Sequence, residues 1–217
     1  MEASQRFGPR LLVIAQGPVL QWGLRDLLNA AGGVAEFSDL TSPPLLLTLL
    51  DEHPPDVLLI DAQLPNSSAF HLCHHVRTVR PHIPVLLLTN LDWDREVGLA
   101  CWAGATGLVM KNASVEEFIG TLKRALGREE AFTPAQRVKA QNWERSVGAP
   151  LRSLSQREHQ VLRMLVDAKH NTEIAVALGI SENTVENHVS SILTKLQVSS
   201  RTELLAFLLR HHVEFLA

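Results

Sequence analysis

Three residues of unlike chemistry stand at the ends of three short apolar runs: Asp61 after VLLI, Thr89 after VLLL, and Lys111 after the run that closes on Met110. A carboxylate, a hydroxyl and an ammonium converging on one site suit a phosphoryl group. The carboxylate would be the nucleophile of aspartyl-phosphate chemistry, and the other two would hold phosphoryl oxygens. Singly, each residue has a plainer role as a turn residue, a strand residue or a solvated cation. Their recurrence at successive run ends carries the reading. A second set lies between Asn183 and Lys195. At about 100° per residue, Val185, Val189, Ile192 and Leu196 form one stripe of a helix, opposite Asn183, Asn187, Ser190, Ser191 and Thr194. Thr184, His188 and Lys195 fall on one flank, Glu182 and Glu186 on the other. Such a face suits the major groove of double-stranded DNA, because Asn pairs bidentately with adenine while hydroxyls and Lys reach phosphates.

The first set needs a sheet to position it. The run at 10–15 is rich in branched apolar residues and reads as a buried strand; runs at 57–60, 85–88 and 106–110 read as strands, and 34–37 as a weak one. Helical spacing alternates with them over 18–31, from Ser42 and Pro43 to Leu50, and over 67–80, 93–103 and 114–126. Ser114 caps the last of these, with Glu116 and Glu117 in the first turn, where the helix dipole favours them. This alternation implies an α/β domain with a parallel sheet covered on both faces, and functional groups gather at the carboxyl ends of such strands.

The second set sits in a run of four helices. Ser155 and Glu158 form a capping box before Val161, Leu162, Leu165 and Val166. Asn171 opens a short helix that Gly179 ends, Ser181 caps the next, and Ser199 or Ser200 starts the last, through Leu209. A short helix, a tight turn and a longer capped helix make a helix-turn-helix. In the last helix, six apolar residues run from Leu204 to Leu209. Either Leu205 with Leu208 or Leu204 with Phe207 should face the core, leaving the other pair for an interface. Residues 128–150 lack apolar periodicity and hold two prolines. They read as a linker with a helical portion near 135–143, which divides the chain into 1–127, 128–150 and 151–217.

Composition bounds the partners. Net charge is −3 over 217 residues, so bulk attraction to nucleic acid is not the design. Residues 151–217 hold seven Lys/Arg and seven Asp/Glu, a net charge of zero, against nine and thirteen in 1–127, a net of −4. A neutral DNA-binding domain should hold a single site weakly, and dimerisation compensates by avidity. Cys73 and Cys101 make neither a disulfide framework nor a zinc spacing. No signal peptide and no run of membrane-spanning length is present, so a cytoplasmic chain without membrane contact is expected. His71 and His75 are at i, i+4 and could chelate, but a surface pair is the better reading; no metal site is expected.

Residues 154–208 resemble the LuxR-type helix-turn-helix of the NarL/FixJ response regulators, through Ser155-Gln156-Arg157-Glu158, Asn171-Thr172-Glu173-Ile174-Ala175, Ile180-Ser181, Thr184-Val185, Asn187-His188 and Lys195-Leu196. The resemblance implies that the third helix enters the major groove and the fourth forms much of a dimer contact. It nominates Asn183, Thr184, Glu186, Asn187, His188, Ser190, Ser191 and Lys195 as DNA-facing. Glu186 stands where the family usually carries Lys; a Glu there repels phosphate but can accept from cytosine N4. Residues 10–126 resemble the flavodoxin-like (βα)5 receiver domain. Asp61 with Pro65 four residues on matches the phosphoacceptor motif, Thr89 the switch position, and Gly104-Ala105 and Lys111 the last strand and its lead-in.

The departures set the expectations. After the first strand the family has an acidic pair that holds magnesium; here the sequence is Ala15-Gln16-Gly17-Pro18. With Asp61 alone, Mg2+ should bind weakly or not at all, since a hard cation wants several oxygens. Leu108 replaces the aromatic switch residue. The expectation is a dimeric DNA-binding regulator with a degenerate receiver and no cofactor. Its control would come from constitutive dimerisation, a partner protein or a small-molecule ligand. The alternative is an orthodox regulator phosphorylated at Asp61 by a sensor kinase. An aspartyl-phosphate enzyme would need a second carboxylate near Asp61, where Gln63 stands, so no catalytic residue is assigned. A third alternative, a pure interaction module with a relic DNA domain, draws on Glu186 and the neutral charge.

Overall fold

The structure is a computed structural model that describes residues 8–30, 32–38, 42–64, 68–211 and 213; Pro65 and Ser67 lie outside them. The chain forms two compact units that divide between Ala140 and Gln141. In the first, strands β1 (Arg10–Ile14), β2 (Val34–Ser38), β3 (Val57–Asp61), β4 (Val85–Thr89) and β5 (Gly107–Met110) alternate with helices α1 (Pro18–Ala30), α2 (Pro43–Glu52), α3 (Ala69–Val79), α4 (Asp94–Trp102) and α5 (Val115–Leu126). All strand pairs are parallel, in the order β2-β1-β3-β4-β5.

Successive strand residues feed opposite cores. Leu12, Ile14, Leu58 and Ile60 pack with Leu46, Leu72 and Val97 from α2, α3 and α4. Leu11, Val13, Leu59 and Leu88 pack with Leu24, Leu28 and Phe118 from α1 and α5. Covering both faces is why β3 and β4 read as unbroken apolar runs rather than alternating ones. The register sets Asp61 beside Leu88 and Thr89 beside Met110. The three strands β3, β4 and β5 therefore end stepwise along one edge.

The stretch expected to be a linker carries its expected helix as α6 (Pro134–Trp143) and continues in a π-helical turn (Glu144–Gly148) and α7 (Ala149–Arg152). Its first part belongs to the receiver-like unit. Ala131 and Phe132 are buried in its two cores, and the Ala131 N–H donates to the Thr106 carbonyl at 2.7 Å. Gly107 is glycine because a Cβ there would meet Ala131 at 2.8 Å. Thr133 and Gln136 cap α6 reciprocally, and Gln136 Nε2 donates to the Leu108 carbonyl at 3.2 Å. Lys139 pairs with Asp92 at 2.5 Å. The unit thus extends past residue 127, anchored by two buried residues too few to give periodicity.

In the second unit, α8 (Gln156–Val166), α9 (Asn171–Leu178), α10 (Glu182–Lys195) and α11 (Arg201–His211) bury Val161, Leu162, Leu165, Ile174, Val185, Ile192, Leu204 and Leu208. Ser155 and Glu158 make the expected capping box. Gly179 ends α9 at φ +64°, a left-handed conformation that favours glycine, and Ser181 Oγ accepts from the Thr184 N–H. Ser200 Oγ accepts from the Glu203 N–H to start α11. Neither expected pair of α11 is the inward one: Leu204 and Leu208, one turn apart, are buried, Leu205 and Phe207 are half-buried, and Leu209 is 65% exposed.

Candidate functional site

The end of β3 delivers Asp61 into a buried position, 4% exposed. Lys111, just after β5, lies 2.8 Å from each carboxylate oxygen. The Gln63 N–H donates to Oδ1 at 3.0 Å, and the Gln63 side chain reaches across to Thr89 Oγ1 at 3.1 Å. The Leu91 N–H also donates to that hydroxyl, at 3.0 Å. The structure therefore brings Asp61, Thr89 and Lys111 together, as the sequence predicts, and adds Gln63 as the bridge between acid and hydroxyl. Sequence reading weighed Gln63 only as a missing carboxylate; its offset of two from Asp61 in the turn is the signal that could have placed it here. Beside this cluster opens a cleft of about 730 Å³ between α1 and α5, lined chiefly by apolar residues, in which Asp61 is the one carboxylate among the described residues.

The second candidate is α10. Asn183, Glu186, Asn187, Ser190 and Thr194 are exposed on one face, with Glu182 beside them; Thr184 and His188 are half-buried on the flank. Thr184 Oγ1 lies 2.8 Å from Ser181 Oγ in the helix cap. Two of the expected DNA-facing residues, Ser191 and Lys195, are half-buried and bond within the domain. Ser191 Oγ donates to Glu158 Oε1 at 2.5 Å, and Lys195 Nζ donates to Glu158 Oε2 at 2.7 Å and to the Ser153 carbonyl at 3.1 Å. These bonds have a physical reason: Glu158 is buried, and a buried carboxylate needs a cation and donors. Burial alone would raise the Glu158 pKa. The hydrogen bonds from Lys195, Ser191 and Ser155 outweigh it and hold the carboxyl at about 2. With Lys195 engaged, the exposed residues of α10 include two carboxylates and no Lys or Arg.

The other candidate groups do not gather. Among the described residues no group of three or more His, Cys, Asp and Glu is placed to hold a metal. On α3, burial and then the neighbouring His75 and His74 lower the His71 pKa. Cys73 is buried, and burial pushes its thiol up to about 12.

The family described as response regulator receiver domain matches residues 11–123, and that described as bacterial regulatory proteins, luxR family, matches residues 152–208. The chain is a response regulator of the NarL/FixJ type. Response regulator protein VraR of Staphylococcus aureus is 26% identical over 204 residues, covering 94% of this chain and 98% of VraR. A structure of RcsB from Salmonella enterica serovar Typhimurium, bound to promoter P1flhDC in the presence of the phosphomimetic BeF3−, superposes with a TM-score of 0.57. The two are 20% identical, with 93% of this chain and 98% of that one covered. A structure of two RcsB dimers bound to two parallel DNAs gives 0.54 at 19% identity, with the same coverage. At these identities the two structures establish the fold.

Against the receiver family, the pocket of this response regulator does not fit a magnesium ion. β1 leads into Ala15, Gln16 and Gly17 where the acidic pair would stand. The Ala15 carbonyl accepts from Gln21 Nε2 at 2.8 Å, and both oxygens of Asp61 are engaged by Lys111. Among the described residues, a divalent cation that wants six or so oxygens would find one carboxylate there, already neutralised by Lys111. Leu108, at the position where the resemblance expects an aromatic residue, is buried in the core.

Proposed function

We propose that this response regulator binds double-stranded DNA as a homodimer through α10, and that ordinary magnesium-dependent phosphorylation of Asp61 does not control it. The observation that carries the reading is α10 itself: a capped helix of a helix-turn-helix, held on α8 by Glu158, with Asn183, Asn187 and Ser190 exposed in one row. Amides and hydroxyls in that arrangement read base edges and reach phosphates. The RcsB structures on DNA, one of them of dimers, support the same use of the domain, and the regulator would act in the cytoplasm. Without an acidic pair, control falls to constitutive dimerisation, a partner protein or a ligand. The second reading, phosphorylation by a sensor kinase, has the convergence of Asp61, Thr89 and Lys111 in its favour. Its weakness is the missing cation site.

The test of the DNA reading is to recover the genomic fragments bound by the full chain and titrate the tightest one. Asn187→Ala should cost about 1–3 kcal/mol on that site and relax one base position. An equal loss on cognate and random DNA would contradict the assignment of Asn187 to a base edge. A chain that retains no fragment at all would contradict DNA binding and favour the interaction module.

A further inference from the structure

The cleft beside Asp61 has no counterpart in phosphoryl chemistry. Its walls are Leu20, Leu24 and Leu27 from α1, with Met110 and Phe118 opposite. The volume, about 730 Å³, falls in the range of small-molecule pockets, which are largely apolar with a few convergent polar groups. Here those groups are at one end: Lys111, Asp61 and Gln63. Gly23, in the middle of α1, also lines the cleft, and a Cβ built there meets nothing within 4 Å. A glycine inside a helix costs roughly 0.5–1 kcal/mol relative to alanine. No packing contact requires this one, and a side chain placed there would have open space beside the cleft.

Charge narrows the occupant. Lys111 and Asp61 neutralise each other, and among the described residues the rest of the lining is uncharged, so a charged molecule would lose its hydration without a counter-charge. An ammonium has three N–H groups. Asp61 takes at most two, which leaves one for an acceptor on the occupant. We infer that the cleft between α1 and α5 is a binding site for a neutral, mostly apolar small molecule bearing a hydrogen-bond acceptor, such as a carbonyl, at one end. The acceptor meets Lys111 and the apolar body lies along α1. The inference rests on the reading of a receiver not switched by phosphorylation, because an occupant there sits where a phosphoryl group would.

The probe is prodan, a neutral naphthalene with a ketone at one end whose emission moves to the blue in apolar surroundings. Titrated into the full chain, it should bind saturably at one site per chain with a blue shift. Gly23→Phe, which fills the cleft, should weaken binding at least tenfold. Val19→Glu places a charge at the rim, at a position 81% exposed whose change leaves the core intact, and should weaken it several-fold. 2-Dimethylaminonaphthalene, which lacks the ketone, should bind several-fold less tightly than prodan. Absence of saturable binding, or wild-type affinity in Val19→Glu and in a folded Gly23→Phe, would overturn the inference. So would a Val19→Glu variant that loses self-association while binding prodan normally, because the face would then belong to a second copy. DNA binding and labelling of Asp61 are measured separately. A chain that takes neither prodan nor phosphoryl group would remove this inference and leave the proposed function standing.

Discussion

Glu186 is the residue at which this regulator departs most visibly from its family's DNA-binding pattern. It is exposed on α10 between Asn183 and Asn187, so its charge faces whatever that helix docks on. Phosphate contacts supply most non-specific affinity, and each contributes about 0.9 to the slope of log affinity against log salt. Glu186→Lys should therefore tighten binding to random DNA more than to the cognate site and steepen that slope by about 1. An unchanged slope would mean that Glu186 lies away from the backbone. The exposed row was legible in the sequence because helical periodicity alone sorts Asn183, Asn187 and Ser190 from Val185 and Ile192. Ser191 and Lys195 were not, because their positions depend on a partner in another helix. Glu158 was visible as a cap, but its second oxygen and its burial are tertiary facts.

At the scale of elements, that carboxylate ties α8 to α10. Lys195→Met would leave it buried with only hydroxyl and backbone donors. We expect a stability loss of about 1–3 kcal/mol, read as a lower denaturant midpoint, with the salt slope of DNA binding unchanged. A flatter slope at unchanged stability would return Lys195 to the DNA. The same network gives a pH dependence. The Glu158 pKa lies near 2, below its ordinary value of 4.5, so its contribution is fully present above about pH 4.5. It is lost as pH falls through about 2. The helix-turn-helix unit of Glu158→Gln should lack this acid-sensitive component; an identical acid unfolding curve would show that the network contributes nothing. The strands and helices of the receiver were legible, since runs buried on both faces announce themselves. The helix near 135–143 was legible too, but its attachment to the receiver was not: α6 is anchored by Ala131, Phe132 and Gln136, and two adjacent apolar residues and a glutamine make no stripe.

At the scale of the whole molecule, net charge and assembly are linked. A DNA-binding region with seven cations and seven anions is expected to hold a single site weakly, which a second copy would offset, and two half-sites one DNA turn apart fit a two-fold protein. We expect a homodimer at micromolar concentration without any phosphoryl donor, with α11 contributing when DNA is bound. Leu209→Glu should then weaken binding to a two-half-site fragment while leaving binding to a single half-site unchanged. Sedimentation of the wild type as a monomer, both free and on such a fragment, would refute this. Two-domain organisation was legible from the change of period between the two halves. The apolar cleft was not, because volume arises from which side chains are absent, and Gly23 looks like any helical glycine until its surroundings are known.

The central claim is that Asp61, though placed beside Thr89 and Lys111, no longer serves an ordinary phosphorylation switch. The direct measurement is the intact mass of the full chain after incubation with acetyl phosphate and magnesium. The account predicts no appreciable gain of a phosphoryl group and, in parallel, DNA binding by Asp61→Asn close to that of the wild type. Substantial aspartyl phosphate, abolished in Asp61→Ala, would contradict it.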